Sequence, residues 1–188
     1  MTPFGPDGPG GVTFPTVDDT ELLAQWVDDL ARDLRGFLAG LDAADLAWRP
    51  DDEAHGIGII AWHIARWVDV LATLTLGRRD AADERWFTDG WAARTGYDPR
   101  GKGIGGWGTL TDYTTDQVAE VPRLSAAELT GYLDAAFGDL RDAIRALPPG
   151  SLAHDHRPYR QLAPVLQGCW GHRGDIETLR SLALRTRR

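Results

Sequence analysis

One 20-residue segment, residues 57–76, limits the folds open to this chain more than any other feature. It reads IGIIAWHIARWVDVLATLTL and is apolar nearly all the way round a helix. A helix of that kind is stable in water only when other elements cover it, so it belongs at the centre of a bundle. The rest of the 188-residue chain must therefore supply the helices that cover it.

Three further segments have the pattern of such covering helices. Residues 18–41 and 125–147 carry apolar side chains three and four positions apart, which is typical of a helix with one buried face. A fourth helix is predicted with Pro164 in its first turn, because proline is favoured there, and it extends to about residue 185. The sequence thus predicts an all-α protein, an up-and-down four-helix bundle.

The segment between the second and third helices, residues 77–124, is a long and elaborated crossover. It is rich in glycine, and connections of this length inside a compact domain are usually functional. The bundle domain is expected at residues 16–188. Residues 1–15 contain four prolines and four glycines and are expected to form a flexible arm.

Composition argues against several classes of function. The chain has 28 acidic and 20 basic residues, a net charge of −8, which does not favour binding to nucleic acid or to anionic membrane. A single cysteine, Cys169, rules out a disulfide framework or a thiolate zinc cluster within one chain. The absence of an 18-residue apolar run is expected to exclude a membrane-spanning helix, and the first residues lack the pattern of a signal peptide. We expect a cytoplasmic protein whose partner is a small-molecule substrate.

Two histidines lie on apolar stripes of different predicted helices. His63 lies on the central segment, and His172 shares one face of the last helix with Cys169 and Ile176. An imidazole directed into a core needs a hydrogen-bonding partner or a metal, and bundle cores build metal sites from facing helices. Each histidine alone is more simply interpreted as a satisfied core residue. When the two histidines are considered together, a functional role has the same weight as a structural one.

Four motifs occur in a recognisable order along the chain. They are WRPDDEAHGIGIIAWHIARWVDVL at 48–71, GWAAR at 90–94, GWG at 106–108 and CWGHRGDIETLRSL at 169–182. Together they resemble the DinB-like superfamily of four-helix bundles with a metal site. More narrowly, they resemble its actinobacterial branch related to mycothiol-dependent transferases and maleylpyruvate isomerases. The resemblance extends from about residue 20 to residue 185.

The resemblance implies a divalent metal, zinc or nickel, held in the bundle core by three side chains. His63 matches the ligand on the second helix and His172 matches the last ligand on the fourth. The third ligand normally lies one turn before the last, and that position is Gly168, which has no side chain. The metal triad is therefore degenerate, since a catalytic zinc site usually has three protein ligands.

Three interpretations of this gap stay open. In the first interpretation, a replacement ligand comes from elsewhere in the chain, such as Gln167, Asp69, or the loop pair His154 and His156. Alternatively, the metal is lost and the two core histidines act as an acid–base pair, so that no cofactor is needed. In the third interpretation the site is inactive or structural.

The candidate site residues follow from these motifs. The candidate catalytic residues are His63, His172 and Asp69. The candidate substrate-binding residues are Arg66, Trp67, Trp91, Trp107 and Arg173. The two arginines adjoin the histidines and have the geometry to hold a carboxylate through two hydrogen bonds, although ion pairs on the surface are the simpler expectation. The tryptophans are candidate pocket walls, with core packing as the alternative.

Three functions remain open at this point. The favoured one is a small-molecule enzyme, of a specialised pathway, that isomerises, cyclises or eliminates by proton transfer between His63 and His172. The second is a metal-dependent thiol S-transferase with mycothiol as co-substrate, in which the metal lowers the pKa of the thiol. The third is a non-catalytic binding or resistance protein. The resemblance and the broad apolar face of the first helix also suggest a homodimer.

Overall fold

Four long helices and four short ones make up the computed structural model, which describes residues 18–186. In chain order they are α1 (Asp19–Leu38), α2 (Ala43–Ala47), α3 (Ile57–Val70), α4 (Arg85–Thr88), α5 (Trp91–Thr95), α6 (Thr115–Ala119), α7 (Ala126–Arg145) and α8 (Arg157–Thr186). Residues 18–186 contain no strand, and the all-α bundle expected from the sequence is confirmed. The arm expected at residues 1–15 lies outside the described residues.

The central apolar segment lies where its composition requires. Helix α3 packs against both α7 and α8, and α1 packs against the same two helices. Beyond Val70 the segment continues over Leu71–Leu76 with a wider π-helical turn, in which the N–H of Gly77 donates to the carbonyl of Ala72 at 2.9 Å. The core is therefore built around α3, with the other long helices supplying one apolar face each.

Contacts between the long helices fix their directions. Three ion pairs show that α1 and α7 are antiparallel, because residues further along α1 pair with residues earlier in α7. The pairs are Glu21–Arg145, Asp28–Arg141 and Arg35–Asp134. Contacts of Tyr132 with Asp69, and of Asp139 with Arg79 just beyond the segment, show that α3 and α7 run parallel. The strict alternation of an up-and-down bundle is thus not found between α3 and α7.

The parallel direction of α3 and α7 explains the long crossover. The α3 segment of 20 residues is about 30 Å long, at about 1.5 Å per residue, and the chain must return that distance before α7 begins. Residues 77–125 make this return and carry α4, α5 and α6. The crossover therefore lies along the bundle beside α3, in a position to contribute to a site there.

Helix α8 begins earlier than the sequence predicts. It starts at Arg157, and Pro164 lies inside the helix and not in its first turn. Pro158 occupies the first turn instead, where a missing N–H costs no helical hydrogen bond. Leu162 and Leu166 are buried on either side of Pro164, so packing holds the helix together across the proline.

The segment Ile57–Leu76 is long and apolar enough to cross a membrane, so the expectation that no segment qualifies was wrong. Its apolar window is nevertheless 72% buried inside the bundle. That burial is typical of the core helix of a soluble protein, since the surface that would face lipid already faces protein.

Candidate functional site

His63 and His172 lie against each other where α3 packs on α8. Their ring centroids are 4.9 Å apart and the ring planes are nearly perpendicular, at 79°. Both rings line one cavity of about 210 Å³, whose other walls are Ile64, Trp67, Pro164, Val165, Gly168 and Cys169. The two apolar stripes that carry the histidines thus bring them to one place.

One nitrogen of each ring is held by an acceptor. The Nδ1 of His63 contacts the backbone carbonyl of Thr109, and because a carbonyl only accepts, Nδ1 carries the proton. The Nδ1 of His172 lies 3.0 Å from a carboxylate oxygen of Asp175, one turn further along α8. In the neutral form of each ring, the lone pair is therefore on Nε2.

The environment of His63 keeps its ring neutral. The pKa of His63 is lowered to about 4, mainly by burial; the bond to Thr109 opposes this lowering, and the nearby His172 and His55 contribute to it. At neutral pH this imidazole is an uncharged hydrogen-bond acceptor at Nε2.

The crossover loop that supplies the Thr109 carbonyl is held by donors on α3. The Arg66 guanidinium donates to the carbonyls of Trp107 at 3.1 Å and of Gly108 at 3.2 Å. The indole N–H of Trp67 donates to the Thr111 hydroxyl at 3.2 Å. Together with His63, these side chains bind the loop at successive positions along the helix.

The backbone conformation of the crossover loop requires the last glycine of the GWG motif. Gly108 has φ +67°, and a Cβ at this position would lie 2.3 Å from the carbonyl oxygen of Pro99. Only glycine fits both restrictions, because other residues rarely adopt such angles and none could avoid the clash. The motif therefore gives the loop the shape that presents the next carbonyl, that of Thr109, to His63.

Arg66 and Asp69 belong to a buried polar network beside the cavity. Both side chains are at most 1% exposed and form an ion pair at 3.3 Å, and Arg66 also pairs with Glu84 at 2.8 Å. The Tyr132 hydroxyl donates to Asp69 at 2.9 Å, and burial raises the pKa of Tyr132 well above its usual value, so it remains a donor.

Asp69 also anchors the crossover to the bundle. Its carboxylate accepts the backbone N–H groups of Arg85 at 2.8 Å and of Trp86 at 3.0 Å, at the start of α4. The structure thus places Asp69 and Arg66 in a network that joins α3, α4, α7 and the GWG loop. Neither side chain lines the cavity with the histidines.

The three candidate tryptophans occupy different places. Trp67 lines the cavity, and Trp107 packs edge-on against it at 5.6 Å with 44% of its own surface exposed. Trp91 is instead buried in the core, stacked on Trp86 at 6.4 Å, with the guanidinium of Arg94 over its ring. Two of the three therefore lie at the histidine cavity.

Arg173 points away from the cavity. It pairs with Asp33 of α1 at 2.9 Å and with Glu177 at 2.6 Å, and its guanidinium lies over the Phe37 ring. This is the surface ion pair that the sequence offered as the simpler expectation. Near the start of α1, Leu23 and Trp26 share a cavity with Tyr159 and Leu162 near the start of α8, so these two helices run parallel.

The donors present do not complete a three-ligand metal site. Gly168 lies in the cavity wall, and a Cβ built there has no other atom within 4 Å. Among residues 18–186, no three His, Cys, Asp or Glu side chains are grouped so as to hold a metal. His154 and His156 are exposed in the α7–α8 connection, and Gln167 lines a different cavity. Two imidazoles alone therefore do not fit a zinc or nickel centre of that kind.

Cys169 is the remaining reactive side chain in the cavity wall. It is buried, and burial raises the pKa of its thiol to about 12. The thiol is therefore protonated at neutral pH and contributes apolar surface only.

A second cavity, of about 290 Å³, lies between α1 and α8. Its walls are Leu23, Trp26, Val27, Leu152, Tyr159, Leu162, Ala163, Leu166, Gln167 and Trp170. Because α8 borders both cavities, its two long faces each contribute a wall. The histidines lie in the smaller cavity on the α3 side.

Two site residues were missed from the sequence. Asp175 was detectable, because a carboxylate three positions after His172 lies on the same helical face. Thr109 was not, because it acts through its backbone carbonyl and lies 46 residues from His63 in the chain.

Comparison with known proteins identifies the family. The sequence model of the DinB superfamily matches residues 27–174, which includes both histidines. The chain belongs to the DinB superfamily. A crystal structure described as a conserved protein from Enterococcus faecalis superposes on this DinB-superfamily chain with a TM-score of 0.71, over 90% of this chain and 99% of the other. The two are 17% identical, so this likeness concerns the fold alone. No curated protein matches the sequence significantly.

Proposed function

We propose that this DinB-superfamily protein is a cytoplasmic enzyme that acts on a small molecule, with His63 and His172 transferring protons in the cavity between α3 and α8. The reaction is an isomerisation, a cyclisation or an elimination, since each moves a proton without a change in redox state. The observation that supports this most is the contact of the two imidazoles, 4.9 Å apart, in one cavity.

The different surroundings of the two rings assign their roles. His63 is neutral, and its Nε2 lone pair is available to accept a proton from the substrate. His172 is held through Nδ1 by the Asp175 carboxylate and is partly exposed, so it can take up a proton from solvent at Nε2 and is the donor. One proton is accepted at His63 and one is donated from His172. The proton on Nε2 of His63 then passes to the adjacent His172, which restores the starting state of both rings.

The low pKa of His63 restricts the kind of substrate that this ring can deprotonate. An imidazole with a pKa of about 4 is a weak base, so it removes a proton efficiently only where a neighbouring carbonyl makes that proton acidic. The apolar walls support this assignment, because they offer no hydrogen-bonding groups that would compete for the proton.

A metal-dependent thiol transferase is less well supported by the donors present. It would need a metal to lower the pKa of a bound thiol such as mycothiol, and the cavity supplies two imidazoles where three ligands are usual. We therefore derive no step through a metal.

The proposal is tested by incubating the wild-type protein with a cell metabolite extract and identifying consumed and formed compounds by mass spectrometry. We expect His172→Asn and His63→Gln to abolish the conversion, with an unchanged helical circular dichroism spectrum. His156→Asn, on an exposed histidine of the α7–α8 connection, is the matched control and should retain full activity. Retention of turnover in His172→Asn, or binding of a compound without conversion by the wild type, would contradict the proposal.

A further inference from the structure

We infer that the ligand of the histidine cavity is an uncharged, mostly apolar molecule about the size of one aromatic ring, with one hydrogen-bonding group at the imidazoles. This inference names the substrate class and rests on the proposed function for its biological meaning. Its evidence is the chemistry of the cavity walls.

The described walls of the cavity carry no fixed charge. Besides the two imidazoles, within residues 18–186 they consist of Ile64, Trp67, Pro164, Val165, Gly168 and Cys169. The protonated thiol of Cys169 adds no charge, and His63 is neutral above about pH 5. A charged ligand would therefore leave water for a site without an unpaired counter-charge, which is unfavourable.

The arginines next to the histidines in the sequence are not available to bind an anion in the cavity. Arg66 is fully buried, and its donors are used by Glu84, Asp69 and backbone carbonyls of the GWG loop. Arg173 is paired with carboxylates on the other side of α8. A carboxylate, phosphate or sulfonate group thus finds no unpaired cation at the histidines, because a protonated His172 is already paired with Asp175 at 3.0 Å.

The nearest charge that the structure shows at the imidazoles is negative. Asp175 contacts Nδ1 of His172, and its carboxylate repels an anionic ligand. The net charge of −8 for the whole chain acts in the same direction. A cation is attracted by Asp175, but that carboxylate is already satisfied by His172 and lies outside the cavity walls.

The rim of the cavity is apolar as well. Trp107, packed on the cavity residue Trp67, is 44% exposed. Large apolar side chains exposed beside a cavity are typical of a site that binds apolar ligands. With a volume of about 210 Å³, below the usual range of about 300–1,000 Å³, the cavity holds a single ring and not a peptide or a nucleotide.

Three probes of nearly equal size test the inference: benzyl alcohol, benzoate and benzylamine. Each is titrated into the full-length protein, and binding is followed by the imidazole proton shifts of the histidines in NMR spectra. We expect benzyl alcohol to bind at least tenfold more tightly than either charged probe. Equal or tighter binding of benzoate or benzylamine would overturn the inference, as would the absence of histidine shifts with benzyl alcohol at millimolar concentration.

Two matched variants test whether benzyl alcohol binds in the histidine cavity. Gly168→Leu and Gly171→Leu each add a side chain where no atom lies within 4 Å of the new Cβ, but only residue 168 lines the cavity. The first should abolish benzyl alcohol binding and the second should leave it unchanged. Val165→Phe fills the cavity from a neighbouring wall position and replaces Gly168→Leu if that variant does not fold. Binding that survives filling of the cavity would place the ligand elsewhere and refute the inference.

The experiment separates this inference from the proposed function. It measures binding without turnover, so the result stands even if the histidines prove not to transfer protons. Conversely, preference for a charged probe would reject the ligand class and leave proton transfer by the two histidines to be judged by the His172→Asn variant.

Discussion

The chemistry of a single histidine depends on which of its nitrogens the protein holds. In this chain the Thr109 carbonyl holds Nδ1 of His63, and Asp175 holds Nδ1 of His172. Both rings therefore leave Nε2 for a ligand, although the ring of His63 is mostly buried and that of His172 is partly exposed. The same side-chain type thus has two different environments within one cavity.

The buried neutral state of His63 predicts a loss of stability in acid. Its pKa is about 4 in the folded protein and about 6.5 in the unfolded chain, so between these values only the unfolded state binds the proton. The contribution of His63 to the free energy of unfolding is complete above about pH 6.5 and is lost as the pH falls towards 4, by about 3 kcal/mol in total.

Urea unfolding of the wild type and of His63→Gln between pH 4 and pH 7 measures this effect. Glutamine keeps an N–H that can donate to Thr109 but does not titrate, so the stability difference between the two proteins should shrink as the pH falls. His156→Gln serves as the surface control. A difference that is constant over this range would show that His63 is not buried in its neutral form.

Gly168 is the position at which a metal site can be restored. A histidine at 168 lies one turn before His172 on the same face, and the space around its Cβ is open. We predict that Gly168→His raises zinc affinity at least tenfold over the wild type, because it adds a third imidazole to the cavity.

Competition with a chromophoric chelator measures the zinc affinity of this variant. Gly171→His adds a histidine to the same helix outside the cavity walls and should not raise the affinity. If the two variants bound zinc equally, residue 168 would not face the two histidines as the structure has it.

Among the elements, α8 has the most unusual composition. Its glycines at 168, 171 and 174 all lie where an added Cβ would meet no atom, and the helix borders both cavities. Glycine in a helix interior costs about 1 kcal/mol relative to alanine. The helix is thus held by packing at its buried residues, such as Leu166 and Ile176, more than by its intrinsic propensity.

Alanine at 171 and 174 should stabilise the protein. Each substitution removes backbone freedom from the unfolded chain without a clash in the folded one, so we expect a gain of about 1 kcal/mol per site and near-additive effects. Thermal and urea unfolding of the single and double variants provide the measurement. As a contrasting control, Gly108→Ala should destabilise, because its φ is +67° and its Cβ would clash with Pro99. Destabilisation by both alanines of α8 would mean that this helix is packed more closely than described.

At the scale of the whole molecule, one buried network joins the bundle to its crossover. Asp69 on α3 binds the start of α4 and Tyr132 of α7, and its partner Arg66 binds the GWG loop. The crossover has few regular elements of its own, and this network fixes it along α3. The position of the Thr109 carbonyl, and with it the tautomer of His63, follows from that attachment.

Asp69→Asn should therefore destabilise the whole fold. The substitution removes one of the two carboxylates that pair with the buried Arg66. It also directs an amide N–H towards backbone N–H donors. We expect these effects to lower the free energy of unfolding by about 3–5 kcal/mol. Glu21→Gln breaks an exposed ion pair with Arg145 and should destabilise the protein far less, because exposed pairs are screened by water. Urea unfolding compares the two variants. Equal losses in both would show that the buried network contributes no more than a surface pair.

The sequence by itself determined the four long helices, apart from the start of α8, and the pair of histidines. Residues 57–76 had to be central because they are apolar on every side, and the stripes carrying His63 and His172 had to face inward because helical periodicity is a local property. The four ordered motifs, through their resemblance to the DinB-like superfamily, also indicated the family. These features depend on residues close together in the chain, and therefore they could be read without a structure.

Only the tertiary structure decided the direction of the helices and the surroundings of the site. The parallel course of α3 and α7, the continuation of α8 through Pro164 and the burial of Arg66 all depend on packing between segments far apart in the chain. The Thr109 carbonyl has no side-chain signal at all, since every residue carries such a group. Long-range contacts select among the alternatives that local patterns leave open, and they placed the proton of His63 on Nδ1.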